Sequence, residues 1–229
     1  MIERYFKSGV RFLWNKPRDA VAVLDGAIVN SASPVAPLAY DGLDGHRAAM
    51  DPSLLATHAS TILGLTKGGT IPHAWLDYAP GRTARLPLAG RDVLTGYMSG
   101  CLIARGTYNG AMHVFHMGTI DNNEAASRTV KRTFAASLPA DATAFNPFAA
   151  WPNAEIGSIQ SRLGGVNVAS EKIFAMVTSA GAFYAILMFN VRDGNGPWTD
   201  PGGRRYWCVG GIKAVPAMSR TKLMAGLLG

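Results

Sequence analysis

"SGCLIARGTYNGAMHVFHMGT", residues 99–119, carries the clearest topological signal in the chain. Asn109-Gly110 sits between two strand-like runs, and that dipeptide is the strongest short signal for a tight β-hairpin. The first run, "LIARG", leaves Cys101 at the start of a rigid element, and the second, "AMHVFH", returns antiparallel. Side chains alternate across a strand, so Met112, Val114 and His116 share one face and Ala111, His113 and Phe115 the other. A strand of this length brings His116 back to the level of Cys101. Hairpin level favours His116 over His113 as its neighbour.

On either side of this hairpin, strand-like segments dominate. They are "AVAVLDGAIV" (20–29), a hairpin candidate turning at Asp25-Gly26, then "IPHAWLDY" (71–78), "ARLPLAG" (84–90), "KIFAMVTS" (172–179), "AFYAILMFNV" (182–191) and "RYWCVGGIKAV" (205–215). Ala180-Gly181 reads as the turn of a second hairpin. Two segments have helical periodicity. "PSLLATHASTILGL" (52–65) follows Asp51 as N-cap, and "DNNEAASRTVKRTFAASL" (121–138) opens on a capping-box pair, Asp121 and Glu124. "DATAFNPFAAWPNAE" (141–155) reads as a long surface loop, and "RDGNGPWTDPGG" (192–203) as another, with Trp198 as a contact candidate. The expectation is one mixed α/β (α+β) domain over residues 1–229, a central β-sandwich of mixed sheets flanked by helices and long loops.

Composition narrows the function classes. Hydrophobic residues make up 48% of the 229 and charged residues 16%, ample for a packed core. The net charge is +7, but Lys and Arg are scattered and lack the aromatic interleaving of a single-strand binder, which disfavours nucleic acid. The longest apolar run, residues 180–191, is twelve residues, well short of the about 20 a membrane-spanning helix needs. The N-terminus is charged throughout and has no apolar segment of secretory length. Two cysteines, Cys101 and Cys208, make no disulfide framework, and no CxxC, HxxxH or HExxH pattern marks a metal site.

The Cys101–His116 pair has a chemical meaning. A cysteine attacks an acyl carbon as thiolate, so it needs a base within reach, and an imidazole supplies one. The resulting oxyanion needs donors, which backbone N–H groups near the nucleophile supply. Gly100 leaves room for substrate and permits a sharp turn before the cysteine. The alternative is a small buried hydrophobe in an apolar strand. Cys208, in "YWCVGG", reads as buried and silent, and Tyr206 and Trp207 read as core aromatics more readily than as a substrate rim.

At these residues the chain resembles the glutamine deamidase toxins of the cytotoxic necrotizing factor and Burkholderia lethal factor type, and is similar to the CheD-type chemoreceptor deamidases. Their Leu-Ser-Gly-Cys motif reads here Met98-Ser99-Gly100-Cys101, and "HMGT" (116–119) resembles the histidine segment of the necrotizing factors. Thr95, six residues before Cys101, matches the threonine that completes the triad in the lethal-factor branch. The resemblance implies a secreted or injected toxin or effector. It would deamidate a glutamine of a host protein, a Rho-family GTPase or a translation initiation helicase, with transglutamination as a side activity. It implies Cys101 as nucleophile, His116 as acid and base, Thr95 as the group holding His116, and Ser99 and Gly100 as support for the oxyanion site. No cofactor or metal is called for, and a monomer is expected. A cysteine peptidase with the same dyad and a non-catalytic binding module are the competing readings.

Overall fold

A computed structural model describes residues 2–18, 20–32, 37–41, 65–98, 100–163, 167–192, 199 and 202–229. The fold is mixed α/β, with two mixed sheets of seven and five strands and three α-helices among the described residues. In chain order the strands are β1 (Arg11–Trp14), β2 (Ile28–Asn30), β3 (Leu38–Tyr40), β4 (Ala74–Leu76), β5 (Thr83–Pro87), β6 (Val93–Met98), β7 (Leu102–Tyr108), β8 (Ala111–Met117), β9 (Thr143–Phe145), β10 (Asn167–Val177), β11 (Phe183–Arg192) and β12 (Arg205–Ala214). The helices are α1 (Glu124–Ala136), α2 (Asn153–Arg162) and α3 (Arg220–Leu228).

The larger sheet runs β3-β1-β12-β11-β10-β6-β4 and the smaller β2-β5-β8-β7-β9. Each is antiparallel except for one parallel pair, β4 with β6 and β2 with β5. The sheets pack face to face through one apolar layer. Val93, Ala175 and Val177 from the larger sheet meet Ala84, Ile103, Val114 and Phe145 from the smaller. The opposite face of the smaller sheet, carrying Ala104, Phe115 and Met117, is covered by Val130 and Phe134 of α1 and by Leu223 and Leu227 of α3. α2 packs Ile159, with Leu163 just beyond its end, beside Leu187, Phe189 and Cys208. On the outer face of the larger sheet Trp14 meets Trp75, Phe174 and Trp207 at ring separations of 5.0, 5.2 and 5.5 Å. Tilted and edge-to-face aromatic pairs of this kind each add about 0.5–1.5 kcal/mol beyond burial.

The Asn109-Gly110 hairpin forms as its turn chemistry requires. Both residues have positive φ, 49° and 78°, which matches the right-handed twist of the flanking strands. Tyr108 pairs with Ala111 and the ladder runs to Leu102 opposite Met117. The second hairpin also forms, β10 pairing with β11 around a turn in which Gly181 has φ 84°.

Several expectations are corrected. Residues 20–29 do not form a hairpin. Val21 is 88% exposed and the segment before β2 is not a strand, because the Val-Ala-Val run has no partner strand among the described residues to pair with. The stretch 141–155 is not a surface loop. It contains β9, a 3-10 turn (Pro147–Ala150) and the start of α2, and Phe145 and Trp151 are buried. The cap of α1 is Asn123, whose side chain accepts from the Ala126 N–H, not Asp121. Residues 52–64 of the helix predicted over 52–65, and Trp198, lie outside the described residues. Trp207 is a core aromatic, and Tyr206 packs under the Arg11 guanidinium.

Candidate active site

The chain crosses from one sheet to the other between β6 and β7, and Cys101 sits at that crossing. β6 ends at Met98 in the larger sheet and β7 begins at Leu102 in the smaller. Gly100 makes the corner with φ 119°, where any side chain would be strained although the space beside it is open. Ser99 lies outside the described residues.

This crossing brings the three expected residues to one layer. Val93 and Thr95 project from β6 toward the smaller sheet, while Leu94 packs on the opposite side. On β8, Val114 lies in the inter-sheet layer and Phe115 and Met117 face the helices, so His116 points between the sheets. His113 therefore faces away with Phe115, where its Nδ1 meets the Ala111 carbonyl at 2.9 Å. His116 pairs with Ile103 of β7, and Cys101 lies two residues before Ile103, in the same apolar cluster. Thr95 Oγ1 and His116 Nδ1 are 2.6 Å apart, a hydrogen bond joining the two sheets.

The environment of His116 fixes its charge. The ring is fully buried between Ala84 and Ile103, its strand partners. Burial pushes its pKa down from 6.5 to about 3, against the opposing pull of the Asp77 carboxylate, so the imidazole is neutral at physiological pH. Its Nε2 is buried without a hydrogen-bond partner among the described residues. A buried ring nitrogen of that kind is a costly feature for a site that does nothing else.

The loop after β4 holds the other side of the site. The Tyr78 ring lies 5.5 Å from the His116 ring, and its hydroxyl donates to the Thr119 carbonyl at 2.7 Å. Gly118 is needed here because an added Cβ would come within 2.1 Å of the Ala79 carbonyl oxygen. Its N–H donates to Arg82 O and its carbonyl accepts from Gly81 N–H, pinning the end of β8 to this loop. Thr119 Oγ1 lies 3.4 Å from Cys101 Sγ.

Cys101 is 2% exposed and not disulfide-bonded. Beside it opens a cleft of about 510 Å³ whose lining includes Gly100, Thr119, Asp121, Glu124 and Lys131. Cys208 lies elsewhere in the core, and burial pushes its thiol up to about 12. No three His, Cys, Asp or Glu side chains among the described residues are grouped to hold a metal ion. No helix among them is long and apolar enough to cross a membrane.

Sequence reasoning missed Tyr78 and Asp77 and gave Thr119 no role. Tyr78 is 38 residues from His116, in "WLDYAPGR", and its only local mark is the Pro80-Gly81 turn that folds the loop back. No protein-family model, curated protein or solved structure matches the chain at a significant level.

Proposed function

We propose that the protein is a protein-glutamine deamidase with Cys101 as nucleophile, His116 as proton carrier and Thr95 as the residue that holds His116. One observation carries the reading. The Thr95–His116 hydrogen bond spans the sheets and leaves Nε2 without a partner among the described residues, in the layer that contains Cys101.

With Nδ1–H donated to Thr95 Oγ1, the vacant site on Nε2 is a lone pair, and a neutral imidazole in that tautomer is a base. His116 takes the Cys101 proton as the sulfur attacks the carboxamide carbon of a glutamine side chain. The tetrahedral oxyanion is held by backbone N–H groups at the Gly100–Cys101 corner. The C–N bond breaks as the imidazolium gives its proton to the departing ammonia. Water then loses a proton to Nε2, its oxygen adds to the thioester, the C–S bond breaks and the proton returns to sulfur. Water is consumed, and glutamate and ammonia are formed. The buried imidazolium intermediate is supported by Thr95, which accepts from Nδ1–H in both charge states, and by the Asp77 carboxylate.

The neutral resting imidazole makes proton transfer part of the attack and leaves no standing thiolate–imidazolium pair. The substrate is a glutamine of another protein, and Rho-family GTPases and translation initiation helicases are the first candidates to assay. Host-cell lysate treated with wild-type protein and with Cys101→Ala tests this by peptide mass mapping. Glutamine-to-glutamate conversion at defined sites with the wild type alone is expected. New peptide ends in place of conversion point to a peptidase.

A second reading, a binding module with Cys101 as a core residue, is favoured by the 2% exposure of the thiol. It expects identical lysates with both proteins.

A further inference from the structure

Thr119 stands between the Cys101 sulfur and the open cleft. Its hydroxyl is 3.4 Å from Sγ, and the same residue lines the cleft wall with Gly100. Its position is fixed from three sides. Its carbonyl accepts from Tyr78, its N–H donates to Met117 O, and the preceding Gly118 is locked against Arg82 and Gly81. These contacts fix the Thr119 backbone, and its side chain reaches from there to the sulfur.

We propose that Thr119 is a further catalytic residue, whose hydroxyl donates to the Cys101 sulfur as it becomes a thiolate. The assignment rests on the nucleophilic role of Cys101 proposed above.

The need for such a donor follows from His116. A neutral imidazole gives the sulfur no standing positive charge, so negative charge developing on Sγ needs another source of stabilisation. A hydroxyl can switch roles without moving. Beside a thiol it accepts or donates, and beside a thiolate it donates, and hydrogen bonds to charged partners are the stronger ones. The titratable groups of the site are His116 on β8, Asp77 and Tyr78 beside His116 on the loop after β4, and Asp121, Glu124 and Lys131 lining the cleft. All are retained when only the Thr119 hydroxyl is removed.

The test uses the full chain and a neutral amide alkylator, iodoacetamide, whose carboxamide is the size of a glutamine terminus. The rate of modification is followed by intact mass from pH 6 to pH 10 in wild type, Thr119→Val and Thr119→Ser. Cys208 stays silent because its thiol is held up to about 12. The expected result is modification of Cys101 about tenfold slower in Thr119→Val at neutral pH, with the profile moved about one unit upward, and recovery in Thr119→Ser. Circular dichroism confirms folding, and Thr119→Ala gives the same comparison should the valine variant be unfolded. Coincident profiles for wild type and the hydroxyl-free variants overturn the role of Thr119. Failure of wild-type Cys101 to react overturns it as well. The measurement is separate from deamidation: a lysate that shows no conversion, beside a shifted alkylation profile, removes the proposed reaction and leaves the Thr119–Cys101 coupling intact.

Discussion

Burial of a neutral His116 makes stability depend on pH, with a size the structure sets. The folded protein holds this imidazole unprotonated down to about pH 3, whereas the unfolded chain protonates it near 6.5. Above pH 6.5 both states are neutral and the folded state loses nothing. As pH falls from 6.5 toward 3 the unfolded chain gains a proton that the folded chain refuses, so stability is lost through that window. Between pH 7 and pH 5 the loss amounts to about 2 kcal/mol, from the linkage relation at about 1.4 kcal/mol per unit. His116→Asn removes the titration while keeping a polar group facing Thr95. The variant is less stable at pH 7, but its stability should fall about 2 kcal/mol less than the wild type's on going to pH 5. Urea unfolding at the two pH values reads this as a difference of about 1 M in the shift of the midpoints. His73 and His113, present in both proteins, cancel. Asp25, held down to about 2 by Arg82, acts only at lower pH. Parallel loss of stability in wild type and variant would refute a neutral, sequestered imidazole.

Three further outcomes follow from the geometry. Thr95→Val strands His116 Nδ1 in the core and should cost about 1–3 kcal/mol in urea unfolding, with deamidation falling at least about tenfold, while Thr95→Ser keeps most of both. Gly118→Ala drives a Cβ toward the Ala79 carbonyl and should destabilise by about 3 kcal/mol, seen as a lower thermal midpoint with loss of the Tyr78–Thr119 contact. Cys208→Ala should leave deamidation unchanged, and alkylation at neutral pH should give a single adduct, on Cys101, in both this variant and the wild type.

What was legible in the sequence was local. Asn109-Gly110 and the alternation of "AMHVFH" are enough to fold the hairpin and choose His116 over His113, but the expected level is off by two: the register sets His116 opposite Ile103, and Cys101 lies two residues before it, where the chain leaves the ladder for the sheet crossing. The two long central strands, β10 and β11, are read from their continuous apolar runs for the same reason. The sheet crossing was not legible. Thr95 meets His116 across two sheets, a contact with no sequence period, and the threonine came to notice only by resemblance. β9 is three residues inside an aromatic, proline-broken stretch, and its pairing with β7 makes it a strand where propensity does not. α2 was hidden by Gly157 and serines that weaken helix propensity, and it is held by Ile159 against the larger sheet. The cap of α1 falls on Asn123 among three adjacent cap-competent residues, "DNN". Asn123 takes the role through its bond from the Ala126 N–H, while Ser127 folds back to bond both the N–H and the carbonyl of Ile120.

The proposed reaction passes through a thioester on Cys101, which hydroxylamine intercepts. A lysate protein converted by the wild type should, with hydroxylamine present, carry a glutamyl hydroxamate at the converted glutamine, and Cys101→Ala should give neither hydroxamate nor glutamate. Conversion that persists at the same glutamine in Cys101→Ala, or that never yields hydroxamate, would contradict the account.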